Sequence, residues 1–157
     1  DRRQRQMCIR DSSYGVAGYP EKHEEAPNID MDVAWLKNKV DLGAEYIVTQ
    51  MFFDNNRYFE FVDRCRTAGI NVPIIPGIKP FISLNQITML PKVFKVDLPT
   101  DLAKELVACK TDDDVKQVGV EWCLNQSREL IAKGAPSIHY YTLNATASVK
   151  KVVKEIF

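Results

Sequence analysis

GAEYIVTQMFFDNNRYFEFVDRCRTAGINVPIIPG, residues 43–77, holds one complete strand–helix–strand unit. Glu45–Met51 (EYIVTQM) is rich in β-branched and aromatic residues, which suits a strand. Asp54 or Asn55 then offers a side-chain cap for a helix. Tyr58, Phe61, Val62 and Cys65 recur at helical spacing after it, and Gly69 stops the run. Val72–Pro76 (VPIIP) is a short apolar run bounded by Asn71 and Gly77, the pattern of a strand buried on both faces. Two such strands joined by a helix read as a parallel βαβ unit.

The alternation continues on both sides. Upstream, Tyr14–Tyr19 predicts a strand ended by Pro20. A helix is expected from about Asp30, with Asp30 as its cap, the stripe Val33, Leu36 and Val40, and Gly43 as its stop. Downstream, helices are expected over Ser83–Leu90, Asp101–Cys109 and Asp112–Lys133. The last of these has Asp112–Asp114 at its positive end, carries Val115, Val118 and Trp122 on one face, and stops at Gly134. Ser137–Thr142 is a fourth strand and Ala145–Phe157 a final helix. Strands alternating with helices specify the α/β class. Four βα units fit either a doubly wound sheet or half of an eight-stranded barrel. No G-x-G-x-x-G follows a strand and no G-x-x-x-x-G-K-[ST] occurs, so the nucleotide-binding doubly wound sheet lacks its best marker.

Composition narrows the function classes. Hydrophobic residues are 45% of the 157 and aromatics 10%, enough for a packed core and too many for a disordered chain. Lys and Arg number 21 against 21 acidic residues, which argues against nucleic acid as partner. No apolar run approaches the ~18 residues of a membrane span, and no signal peptide is visible. Cys8, Cys65, Cys109 and Cys123 form no C-x-x-C pair and lie apart from the two histidines, so reduced buried thiols of a cytoplasmic protein are expected. Residues 1–12 (DRRQRQMCIRDS) have no helical or strand period; they read as a disordered tail or a sequence artefact, leaving 13–157 as the folded part.

In parallel α/β folds chemistry gathers at the carboxyl ends of the strands. Those ends are Tyr19–Glu24 with His23, Thr49–Asp54 with Gln50, Pro76–Pro80 with Gly77 and Lys79, and Tyr141–Asn144. Gln50 stands out. A side-chain amide both donates and accepts, so it suits the edge of a heterocycle with adjacent N–H and C=O groups, though it could equally cap its own loop. His23 sits among Glu21, Glu24 and Glu25, where it could meet a ligand or only solvent. Met51, Phe52 and Phe53 read as core, and the Asp112–Asp114 run as a helix start. No nucleophile elbow, no H-E-x-x-H and no carboxylate pair with an obvious shared substrate is present, and no catalytic residue is assigned.

These strand ends carry a family resemblance. AGYPEKHEEAPN (17–28), KVDLGAEYIVTQMFFDN (39–55), AGINVPIIPGIKP (68–80) and HYYTLN (139–144) are similar to the second half of methylenetetrahydrofolate reductases. The resemblance runs from about residue 13 to the C-terminus. It implies the C-terminal half, about four βα units, of a (β/α)8 TIM barrel that binds FAD at the strand ends. It implies that NAD(P)H reduces the flavin, which then reduces 5,10-methylenetetrahydrofolate to 5-methyltetrahydrofolate, feeding methionine synthesis. By position in the motifs, Tyr19, His23, Ala26, Asp32 and Lys39 would serve the FAD, and Gln50 and Gln86 the folate. Leu90 stands where well-known members place an aromatic ring, and Ala145 where an Arg often follows Y-T-L-N. The family's general acid, a Glu near the first strand, belongs to the N-terminal half. The complete enzyme is expected to be a cytoplasmic homo-oligomer without nucleic-acid or membrane partners.

The strand count makes 157 residues half of a barrel that needs eight units and about 250 residues. The alternative to an enzyme portion is an inactive half-barrel that only binds or self-associates through its open sheet edges. The isolated chain is therefore expected to show no reductase activity and little flavin absorbance after purification. An active, yellow preparation would contradict that expectation.

Overall fold

The computed structural model describes residues 13–157; the expectation for residues 1–12 falls outside them. The elements are β1 (Gly15–Gly18), α1 (Ile29–Asp41), β2 (Tyr46–Thr49), α2 (Asn55–Thr67), β3 (Ile74–Ile75), β4 (Gly77–Ile78), α3 (Leu84–Phe94), α4 (Thr100–Ala108), α5 (Asp112–Ala132), β5 (His139–Tyr140) and α6 (Thr146–Ile156). All strand pairs are parallel: β1 with β2, β2 with β3, and β4 with β5.

The third strand of the sequence is two short strands, broken at Pro76. Proline has no N–H to donate to a ladder. Ile74–Ile75 therefore pairs toward β2, and Gly77–Ile78 pairs toward β5. The gap is filled from both sides: the Thr49 hydroxyl accepts the Gly77 N–H at 2.9 Å, and the Pro76 carbonyl accepts the His139 N–H at 2.9 Å. The outcome is four staggered parallel strands in chain order, the geometry of a barrel wall.

The wall has one packed and one open face. Ile47, Ile74 and Ile78 point toward the helices and are fully buried with Val33, Leu36, Phe61, Cys65, Leu130 and Val152. Tyr46, Val48 and Ile75 alternate to the other face and are half-buried, while Ala17 and His139 there are exposed. Period-two alternation of this kind is expected of strands. Cys65 and Cys123 are free and buried, and Cys109 is free and half-buried. Burial pushes the thiols of Cys65 and Cys123 up to about 12, which leaves them unreactive.

Helix boundaries follow local chemistry. Asn28, rather than Asp30, caps α1: its side chain accepts the Met31 N–H at 2.9 Å. Asp54 caps α2 by accepting the Asn56 N–H at 2.9 Å. Thr111 and Asp114 form a capping box at α5. α3 passes through Pro91 to Phe94, beyond the end expected at Leu90. Phe94, in the continuation, packs against a second core of Met51, Phe53, Phe81, Leu90, Val96, Leu102, Leu106 and Val115. That core places α3 and α4 over the carboxyl end of β2.

Gly119 lets α5 lie directly on the backbone at Phe81: an added Cβ would overlap the Phe81 carbonyl oxygen, which is itself backbone and cannot swing away. Gly119→Ala is expected to lower stability by about 1–3 kcal/mol in urea unfolding, the usual range for overpacking. An unchanged midpoint would show that α5 can shift freely.

Candidate functional site

β1 and β2 end side by side, because the Gln50 N–H donates to the Gly18 carbonyl at 2.8 Å. Tyr19 and Gln50 thus leave adjacent strands at the same level. The chain after Tyr19 turns tightly. Lys22 adopts φ 83, in the left-handed region, and its N–H donates to the Tyr19 carbonyl at 3.1 Å. The Lys22 ammonium then donates to the carbonyls of His23 (3.0 Å) and Ala26 (2.7 Å). This folds His23 back until its ring meets that of Tyr19 edge-on, with centroids 4.5 Å apart.

Asp32 fixes the turn from outside. Its carboxylate accepts the His23 N–H at 2.7 Å. His23 Nδ1 accepts the Glu25 N–H at 3.2 Å, so a neutral ring carries its proton on Nε2, a donor with no partner among the described residues. Gln50 Oε1 accepts the Met51 N–H at 3.0 Å. An N–H can only donate, so the amide orientation is fixed, and the Nε2 group has no partner among the described residues.

The segment after Gln50 is clamped by α5. The indole of Trp122 donates to the Phe53 carbonyl at 3.0 Å. Gln126 Nε2 donates to the Phe52 carbonyl at 3.3 Å and to Asn55 Oδ1 at 3.1 Å. Asn55 in turn donates to Glu129 at 2.7 Å. The sequence marks Trp122 only as part of a helix face, and Asn55 only as a possible cap. Their role as anchors of the Gln50 turn rests on partners far apart in the chain, which no local pattern reveals.

Tyr19, His23 and Gln50 line a hollow of about 190 Å³ closed on one side by Phe94 and Lys95 from the end of α3. A larger cleft of about 430 Å³ lies between α1 and α2 around Asp30, Val33 and Arg64, away from every strand end. The strand-end hollow is where the motifs converge, and it carries the polar groups that could orient a ligand. Ala26 lies buried beneath the turn, and Lys39 is exposed in the last turn of α1, two turns beyond Asp32 on the same side of the helix. Gln86 is elsewhere: it is buried in α3, and its Oε1 accepts the Ile82 N–H at 2.9 Å, closing the turn into the helix. Leu90 and Ala145, at the two positions of departure, are both buried. Lys79 is buried at the end of β4, its ammonium 3.4 Å from the Thr142 carbonyl, and desolvation lowers its pKa. Among the described residues no three His, Cys, Asp or Glu side chains are placed to hold a metal, and no helix is long and apolar enough to cross a membrane.

The sequence model of the methylenetetrahydrofolate reductase family matches residues 5–156. The chain belongs to this family. It is 40% identical over 146 residues to a probable methylenetetrahydrofolate reductase (NADPH) of Caenorhabditis elegans, covering 92% of this chain and 22% of that one. It is 41% identical over 152 residues to methylenetetrahydrofolate reductase 1 of Schizosaccharomyces pombe, covering 96% and 24%. It is 37% identical over 137 residues to the 5,10-methylenetetrahydrofolate reductase of Escherichia coli, covering 87% and 46%. The chain thus spans about a quarter of these eukaryotic relatives and just under half of the bacterial one. Among solved structures, an uncharacterized protein from Clostridium thermocellum that binds two copies of 5-methyl-5,6,7,8-tetrahydrofolic acid matches 99% of this chain and 58% of its own, with a TM-score of 0.63 at 20% identity. That likeness supports the fold, a partial (β/α)8 barrel.

Asp32 holds the backbone of His23, so removing its acceptor should free the turn. Asp32→Ala is expected to cost roughly 1.5–3 kcal/mol, the range for a hydrogen bond to a charged group. Asp32→Asn, which keeps an acceptor, should cost less. Urea unfolding of the two variants checks the order; equal losses would mean the bond is not what holds the turn.

Proposed function

We propose that the hollow and the open inner face of the sheet form part of the flavin- and folate-binding surface of a methylenetetrahydrofolate reductase. The reaction is reduction of 5,10-methylenetetrahydrofolate to 5-methyltetrahydrofolate with NAD(P)H as electron source. Family membership supports the reaction class. One observation carries the assignment of the site: at the ends of neighbouring strands, a fixed amide with a free N–H faces the same hollow as an edge-on Tyr–His pair.

The residues fit a flavin in chemical type. His23 offers an Nε2–H donor for a phosphate or ring oxygen, and Tyr19 offers a phenol and an aromatic edge. Lys39 and Asp32 lie along one side of α1, where a Lys suits the phosphate end of an extended dinucleotide. FAD, when bound, supplies the hydride relay between nicotinamide and folate. This chain's own work is then positional. Gln50 donates through Nε2 to the pterin edge, and its Oε1 keeps a second lone pair beyond the one used by Met51. The α5 clamp through Trp122 and Gln126 keeps that amide from drifting. Gln86 reaches the folate in this reading only if the start of α3 moves, since its amide oxygen is engaged with Ile82.

The assignment is tested in the whole enzyme. Gln50→Ala should cut kcat/KM for the folate about tenfold or more, as one lost ligand hydrogen bond predicts, with flavin content unchanged. His23→Ala should lower flavin content instead. A Gln50→Ala enzyme with unaltered kcat/KM would remove the amide from the site.

A further inference from the structure

Glu21 stands between Tyr19 and His23 in the same turn, but its side chain takes a different direction. Its Oε2 accepts the Asp97 N–H at 2.9 Å, and its Oε1 is buried with no hydrogen-bond partner among the described residues. Asp97 belongs to the link between α3 and α4. At Lys95 this link turns through a left-handed residue, φ 53, and crosses back over the turn after β1. Phe94 and Lys95 wall the hollow, and Val96 is sunk in the second core. Among the described residues the other polar tie is Lys95 to Glu24 at 3.6 Å, a solvent-exposed pair that holds little. Glu21 is thus the main polar tether between the link and the turn.

We propose that residues 94–98 form a strap across the strand-end hollow, and that the charge on Glu21 sets its docking: held when Glu21 is protonated, loosened when it ionises. The groups facing Glu21 favour this. Burial and the carboxylates of Asp97 on the strap and Asp54 at the start of α2 act against its anion, and together they outweigh the Asp97 N–H that it accepts and Arg57 in the first turn of α2. An ionised Glu21 would be a desolvated charge with one oxygen unmatched. A cleft of about 470 Å³ lined by Glu21, Asp54, Arg57 and Asp97 lies alongside, with room to hydrate the carboxylate once the strap yields.

Burial first, and Asp97 second among the raising influences, push the Glu21 carboxyl from 4.5 up to about 7. A raised acid favours the docked state at low pH. The contribution is fully present below about 4.5 and is lost as pH rises through about 7. The strap should therefore loosen across neutrality, by at most about tenfold per pH unit. Its meaning as a gate rests on the ligand site proposed above, whereas its docking does not.

Hydrogen exchange of the ligand-free whole enzyme at pH 6 and pH 8, corrected for intrinsic rates, reads docking alone. Protection of the Asp97 amide, which donates to Glu21, should fall several-fold between the two, while that of Ile47 and Ile75 in the sheet stays constant. Glu21→Gln, neutral and still an acceptor, should keep the strap protected at both pH values. Glu21→Ala should leave it unprotected at both; should that variant fail to fold, the wild type and Glu21→Gln decide the matter. Flat protection in the wild type, or an equal fall in Glu21→Gln, would overturn the proposal.

Discussion

Pro76 has no N–H, and the barrel wall is organised around that missing donor. A regular strand over residues 74–78 would have to pair with both neighbours along its length. The proline divides it, so that one half serves β2 and the other serves β5. Thr49 completes the junction by lending its hydroxyl to Gly77. Gly77 is required there because a Cβ would overlap the Thr49 carbonyl and come within 2.6 Å of the Tyr141 ring. The Tyr141 hydroxyl donates to that same carbonyl at 2.9 Å. Three strands are locked by one threonine, one glycine and one tyrosine, and the residue after that threonine is Gln50.

The position of Gln50 is therefore inherited from the sheet. Upstream it is fixed by the Thr49 junction and by its own N–H on Gly18. Downstream it is fixed by α5 through Phe52, Phe53 and Asn55. Gln126, buried and bonded to Asn55, satisfies the Phe52 carbonyl that the turn would otherwise leave unmatched in the core. A rigid frame on both sides of one amide is what precise orientation of a ligand requires. The Tyr19–His23 side is built differently. It depends on a strained Lys22 and on single bonds from Asp32 and Glu21, so it has more freedom to move.

Much of this is legible in the sequence for physical reasons. Strand and helix order follows from β-branched runs such as Ile47 and Val48 and from the stripe Tyr58, Phe61 and Cys65, because burial imposes periods of two and 3.6. Gly43, Gly69 and Gly134 mark helix ends because each takes positive φ. The convergence of Tyr19, His23 and Gln50 is legible from their shared place at strand ends. Asn28 displaces Asp30 as the α1 cap because both are good caps and only geometry chooses. The second core is not legible, since its members are drawn from separate segments of the chain. The contact of Glu21 escapes the sequence for the same reason: its partner, Asp97 in a distant link, is not announced by any motif.

A structure of the whole enzyme with flavin and methyltetrahydrofolate bound tests the central claim most directly. The pterin should lie within hydrogen-bond distance of the Gln50 amide, and the flavin should contact Tyr19 and His23 over the inner face of the sheet. Folate bound away from the ends of β1 and β2, with the Gln50 amide facing only solvent, would contradict it.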